Sequence, residues 1–190
     1  NRRAPHIWLA VLAICTALFP RPLAAKEIEG VRFADQLQVG PVTMRLNDVG
    51  LMRYRYVIKA YVAALYLGEG VGPTEVLADA PKRLEIEYFY AIQAAGFANA
   101  TEQGLAANVP AETLAALRPR IDRLNALYRD VKPGDRYALT YLPGVGIELA
   151  LNGAPLGTIA GADFAAAIFA IWLGPNAIDA SLKAQLLGQT

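Results

Sequence analysis

The sequence predicts an α+β domain built around a largely antiparallel sheet, and three observations carry that reading. Stretches of alternating apolar and polar residues come in hairpin-like pairs, give way to helical periodicity, return, and give way again. The period changes from two to 3.6 between Ala94 and Tyr128. Asn152-Gly153, set between two alternating runs, is the strongest hairpin signal in the chain. With 190 residues and no break in composition, the chain has room for one domain with a full core.

In chain order, Lys26 to Leu46 reads as one or two opening strands, with Val39, Val42 and Met44 alternating around Gly40-Pro41. Asn47-Asp48-Val49-Gly50 reads as a turn into a long strand from Met52 to Leu67, dense in Tyr, Val and Ile. At about 3.3 Å per residue that strand would run roughly 50 Å, near the upper limit, so a bend or bulge is expected inside it. Strict alternation puts Arg53, Arg55, Lys59 and Tyr61 on one face, leading into Ala63, Leu65 and Leu67, with Tyr54, Tyr56, Ile58 and Tyr66 opposite. Glycines 68, 70 and 72 with Pro73 break the pattern, and Thr74 caps a short helix. Leu84 to Tyr90 is a second strand, with Glu85 and Glu87 on its solvent face.

From Ala94 to Asn108, Phe97, Ala98, Thr101 and Leu105 share one helical face. Pro110 suits the first turn of the next helix, whose stripe is Leu114, Leu117, Ile121, Leu124 and Tyr128, with a kink or break expected at Pro119. Strands follow at Tyr137–Tyr141, Gly146–Leu151 and Pro155–Ile159. Phe164 to Leu173 is apolar almost all round, which predicts a buried helix stopped by Gly174-Pro175. Asp163 and Asp179 sit where helix caps belong, the latter opening a closing helix through Leu187.

Residues 1–25 have the composition of a secretory signal: Asn1-Arg2-Arg3, an apolar run from Ile7 to Phe19, then Pro20, Pro22 and the small pair Ala24-Ala25. The run is shorter than the roughly 20 residues of a membrane span, so the expectation is an exported domain over 26–190, periplasmic or secreted, with no integral span. The only cysteine, Cys15, and the only histidine, His6, fall in that leader. A mature chain starting near Lys26 would have no Ser-His-Asp or Cys-His nucleophile, no His- or Cys-held zinc or haem and no disulfide. Losing Arg2, Arg3 and Arg21 takes the 18 basic residues to 15 against 17 acidic, a balance of −2 that offers no footprint for nucleic acid. No dinucleotide, phosphate-loop or metal-ligand spacing is present, so no cofactor is expected, and a protein partner is left unknown. Chemistry falls to tyrosines, cations, carboxylates or water.

The candidate site is the basic stripe. Arg53, Arg55 and Lys59 either form an ordinary solvated face or gather around an anion, because like charges two residues apart repel unless something sits between them. Tyr61 and Tyr66 either add hydroxyl donors or pack.

Leu46-Asn47-Asp48-Val49-Gly50, the run from Arg53 to Leu67, Ile171-Trp172-Leu173-Gly174 and Ala180 to Gly188 together resemble the bacterial branch of the chalcone isomerase-like proteins. That resemblance implies an open-faced β-sandwich, a large antiparallel sheet backed by helices with a ligand cleft between them. In the plant enzymes of this fold a strand arginine, matched here by Arg53, holds a phenolate during an oxa-Michael ring closure. Tyr61 stands where they carry a threonine, and Phe97 where they carry the tyrosine that orders a water at the substrate ketone. Noncatalytic relatives bind fatty acids through an arginine and a tyrosine. The expectation is a binder of a small apolar molecule with an anionic head, a fatty acid or a phenol, with Arg53 and Tyr61 as the catalytic pair if there is one and Arg53, Arg55, Lys59, Tyr61 and Phe97 around the ligand. The alternatives are an intramolecular lyase acting on phenolic enones, and an interaction protein with no ligand.

Overall fold

Nine strands and four α-helices make up the residues described by the computed structural model, 25–55 and 57–189. Residues 1–24, on which the expected signal with His6 and Cys15 falls, and Tyr56 lie outside them. The first two strands, β1 (Ala25–Ile28) and β2 (Val31–Ala34), form a small hairpin of their own. The other seven form one antiparallel sheet whose spatial order is the chain order: β3 (Gln36–Val39), β4 (Val42–Tyr54), β5 (Ile58–Gly68), β6 (Lys82–Tyr88), β7 (Arg136–Leu142), β8 (Gly146–Leu151) and β9 (Ala154–Ile159). Helices α1 (Ala94–Asn108) and α2 (Ala111–Leu127) are inserted between β6 and β7, and α3 (Ala162–Leu173) and α4 (Ala180–Leu186) follow the sheet.

The sheet is buried on both faces. Its helix side packs Ala63, Leu65, Leu84, Ile86, Leu139 and Leu149 against Leu105, Ile121, Phe164, Ile168 and Leu182. On the other side Val62, Ala64 and Tyr66 meet Val31, Phe33 and Met44 under the β1–β2 hairpin. A large antiparallel sheet backed by helices is thus what the chain builds.

Local chemistry explains most element boundaries. Asn152 and Gly153 both have positive φ, at 51° and 81°, the geometry of a two-residue turn that matches strand twist. Asp179 caps α4, its Oδ1 accepting from Leu182 N at 2.7 Å. Pro110 precedes α2, which continues through Pro119 as a single helix rather than two. Asp163 is not a cap: Gly161 holds that place, and Asp163 takes two hydrogen bonds from Arg120 at 2.7 and 2.6 Å. The short helix around Thr74 is a single 3-10 turn, Pro73–Glu75.

The long strand expected from Met52 to Leu67 is instead two. Asn47 to Gly50 lies within β4, and the chain reverses at Arg55, whose φ is 50°, so β4 and β5 form a hairpin with Arg55 and Val57 at its tip. Asn47 occupies a bulge, since Leu46 opposes Tyr66 and Asp48 opposes Leu65. A second bulge is decisive for the site: Met52 opposes Tyr61 while Arg53 opposes Lys59, leaving Ala60 extra in β5. One extra residue inverts the alternation, so Arg53 and Lys59 fall on the face opposite Tyr61. Lys59 accordingly reaches Glu29, in the β1–β2 turn, at 2.5 Å.

Glu85 and Glu87 are also placed differently from expectation. The far face of the sheet is roofed by the first hairpin, so Glu85 is buried and takes hydrogen bonds from Arg83 at 2.9 Å and Arg136 at 3.1 Å. Arg136 also donates to Glu87 at 2.7 Å and stacks over the Phe33 ring at 4.5 Å. These charges form a covered network in place of a solvated fringe.

Candidate ligand cavity

A cavity of about 220 Å³ lies between the helix side of the sheet and α1 and α3. Its sheet wall is Tyr61, Leu84, Ile86, Tyr88, Tyr137, Leu139 and Leu149, and its helix wall is Gly96, Phe97, Ala100, Thr101, Ile171 and Trp172, closed by Ile92, Tyr128 and Ile178. Alternation puts every second residue of β5, β6 and β7 on this side, while α1 contributes two neighbouring residues per turn, Gly96 with Phe97 and then Ala100 with Thr101. Helices α1 and α3 approach closely because Gly104 has no side chain; a Cβ there would lie 2.7 Å from Ile171 Cγ2.

Aromatic rings dominate the interior. Phe97 contacts Tyr88, Tyr128 and Tyr137 with ring centroids 5.2, 5.5 and 5.1 Å away, and Tyr61 meets Tyr88 edge-on at 5.8 Å. The hydroxyls are not equivalent. Tyr137 is satisfied by the backbone, accepting from Arg129 N and donating to Arg129 O. Tyr128 shares a 2.8 Å hydrogen bond with Thr101. Tyr61 Oη accepts from the indole Nε1 of Trp172 at 3.2 Å, which leaves its own proton uncommitted. The Tyr88 hydroxyl makes no hydrogen bond to another described residue, and Tyr88 also lines the space. Burial pushes both phenols up: at Tyr61 the Trp172 bond works against the rise and Asp179 adds to it, and at Tyr88 the neighbouring Tyr61, Tyr128 and Tyr137 reinforce it. Both are neutral donors at any physiological pH. The cavity therefore offers an apolar body and two phenolic protons, suited to a small apolar molecule carrying one acceptor.

Of the residues expected around a ligand, Tyr61 and Phe97 line the cavity, and Arg53, Arg55 and Lys59 do not. The bulge at Ala60 separates them: Tyr61 turns inward, Arg53 and Lys59 turn to the far face, and Arg55 sits at the exposed hairpin tip with its guanidinium 5.3 Å from the Tyr54 ring. Tyr66 is buried in the far core. Sequence reasoning passed over Tyr88, Tyr128, Tyr137, Thr101 and Trp172. Alternation puts Tyr88 on one face with Leu84 and Ile86, but nothing in that pattern shows that the face lines a cavity. Among the described residues no three His, Cys, Asp or Glu side chains cluster to hold a metal ion. No helix among them is long and apolar enough to cross a membrane.

The motif at Leu46–Gly50 meets the one at Ala180–Gly188. Asn47 Nδ2 donates to Leu186 O at 2.6 Å, Gln185 Oε1 accepts from Leu51 N at 3.0 Å, and a Cβ on Gly50 would collide with Leu182. They form the joint that docks α4 on β4. Trp172, from the third motif, reaches the cavity. A family model described as chalcone isomerase-like matches residues 25–188, the whole of this framework. The chain belongs to the chalcone isomerase-like family. Among solved structures it is similar to a fatty-acid binding protein of Arabidopsis thaliana, with a TM-score of 0.65 at 14% identity, covering 86% of this chain and 96% of that one. A likeness at that identity is one of fold, and the fold is the open-faced sheet backed by helices of the chalcone isomerase-like family. No curated protein matches the chain by sequence.

Proposed function

We propose that the chain binds a small apolar ligand with a single polar head, of the fatty-acid or phenolic class, and is at most a weak catalyst. The observation that carries this is the cavity itself, a mostly apolar space in which the uncommitted protons of Tyr61 and Tyr88 stand beside the hydrogen-bonded Thr101–Tyr128 hydroxyl pair. The name of the similar Arabidopsis protein, a fatty-acid binding protein, supports the same ligand class. At about 220 Å³ the space is below the roughly 300–1,000 Å³ of drug-sized sites, so the ligand is short or leaves one end in the mouth. Ring closure of a phenolic enone needs a cation beside the phenolate. The three candidate cations stand outside the lining, and Phe97 has no hydroxyl to hold a water at a ketone, so the lyase reading has less support.

With no cation in the lining, a carboxyl head is better held protonated, as a hydrogen-bond acceptor for two phenols, than as a buried unpaired anion. Trp172 lines the cavity and reports on it by fluorescence. Titrating decanoic acid between pH 5 and 8 should give affinity that weakens as pH rises, by up to about tenfold per unit, the limit for one linked proton. Decanol should bind with no such slope, and Tyr61→Phe should weaken both by about fivefold, the loss of one hydrogen bond. Equal affinity for acid at both pH limits would return the head group to a cation, and no binding of either would remove the ligand reading. The proposal includes export, supported by the basic start and short apolar run of residues 1–25. N-terminal sequencing of the protein from its own host should begin near Lys26; a full-length cytoplasmic chain would overturn it.

A further inference from the structure

The β4–β5 hairpin presents a surface that the cavity does not use. Tyr54, Val57 and Ile58 are 52%, 75% and 42% exposed at its tip, three of the six large apolar side chains that are exposed among the described residues. Tyr54 and Ile58 oppose each other, one residue on from Arg53 and Lys59, so they lie on the cavity side of the hairpin. Ala60, two residues from Ile58, already lines the cavity, and Ile178, 45% exposed, lines it from the opposite wall. An apolar ramp thus runs from the mouth to the tip. The cations are sorted to the other sides. Arg53 is on the far face and Arg55 at the turn, and neither pairs with an acid among the described residues, whereas Lys59 is neutralised by Glu29. Two free guanidiniums flank a wedge of exposed aromatic and aliphatic side chains. An interior of another protein would complement the wedge alone, and an acidic partner the arginines alone. A bilayer surface with anionic headgroups complements both at once, taking the apolar residues below the headgroups and the arginines at their level.

We propose that this hairpin docks the protein on an anionic lipid surface, with the cavity mouth turned toward the acyl region. The docking stands whichever ligand the cavity holds, and its test uses none. In the full chain carrying Cys15→Ser and Val57→Cys, an environment-sensitive dye on the new thiol should shift to the blue on adding vesicles of phosphatidylcholine with one third phosphatidylglycerol. It should shift far less with phosphatidylcholine alone. A dye placed instead by Val145→Cys, 58% exposed in the β7–β8 turn at the opposite end of the sheet, should not respond, which separates tip insertion from attachment through the N-terminal apolar run. Adding Arg53→Glu and Arg55→Glu should raise the lipid needed for half-maximal shift by at least about 25-fold, roughly fivefold for each cation lost. No shift at position 57, an equal shift at 145, or indifference to the charge reversals would overturn the proposal. A blue shift that grows with protein concentration in the absence of vesicles would overturn it in favour of a second copy of this chain.

Discussion

Glu85 occupies a position where a single carboxylate holds two strands and the covering hairpin together. It accepts from Arg83 and Arg136, which are themselves mostly covered, and Arg136 carries the contact onward to Glu87, to Arg32 O and to the Phe33 ring. Removing the shared acid leaves two guanidiniums facing each other in a space with little water. Glu85→Ala should therefore cost about 3 kcal/mol, at the low end for breaking a buried pair because the arginines keep some exposure. That corresponds to a fall of roughly 6–12 °C in melting temperature for a chain of this size. Glu87→Ala, more exposed and with one partner, should cost about 1 kcal/mol or less. Chemical denaturation of both variants checks the contrast, and equal small losses would mean that water reaches Glu85. Nothing local in the sequence separates Glu85 from an ordinary solvent-face glutamate. Its burial depends on β1 and β2 folding over a face that alternation assigns to water.

The same limit explains which elements could be read and which could not. The helices α1, α3 and α4 and the hairpin at Asn152-Gly153 follow from short-range rules, a period of 3.6, a cap or a left-handed turn, and they lie where the sequence predicts. The β4–β5 hairpin breaks them. Its turn uses Arg55 at φ 50° in place of glycine or asparagine, while Asn47-Asp48-Val49-Gly50, which has turn composition, is held extended because Asn47 bonds to Leu186 and Gly50 makes room for Leu182. Tertiary contact with α4 outweighs local preference there. The bulge at Ala60 then decides the site, because strand alternation propagates any one-residue error along its whole length. Tyr61 and Phe97, named from the sequence, do line the cavity, whereas the true position of the arginines was not legible, since a face assignment carried unbroken through Ala60 places them with Tyr61. The element that separates the cavity from the cations is a single extra residue in β5, and no composition signal marks it.

At the scale of the whole molecule, the cavity makes stability depend on keeping phenols neutral. Burial raises Tyr61, Tyr88 and Tyr137 above the ordinary phenol value and raises Tyr128 to about 12, despite the Thr101 hydrogen bond that opposes it. A folded-state value above the unfolded one means that stability is intact below pH 10 and is lost as pH climbs beyond it, because only the unfolded chain can release these protons. Each such group removes up to about 1.4 kcal/mol per pH unit above 10, so the four together remove up to about 6 kcal/mol per unit, comparable with the low end of a total of roughly 5–15 kcal/mol. Lys82 works in the opposite sense. Burial beside Tyr141 and Phe169 lowers it to about 8, only partly offset by Asp79, so between pH 8 and 10.5 the unfolded chain keeps a proton that the folded chain has released, and stability rises with pH. The expected profile climbs from pH 8 toward 10 and then collapses, with the phenolate absorbance of the cavity tyrosines appearing together with unfolding. Lys82→Met should flatten the climb and leave the collapse in place. If the tyrosines instead ionise near pH 10 one by one while the fold persists, water reaches the cavity freely, and its phenols are not the protected donors that the proposed binding requires.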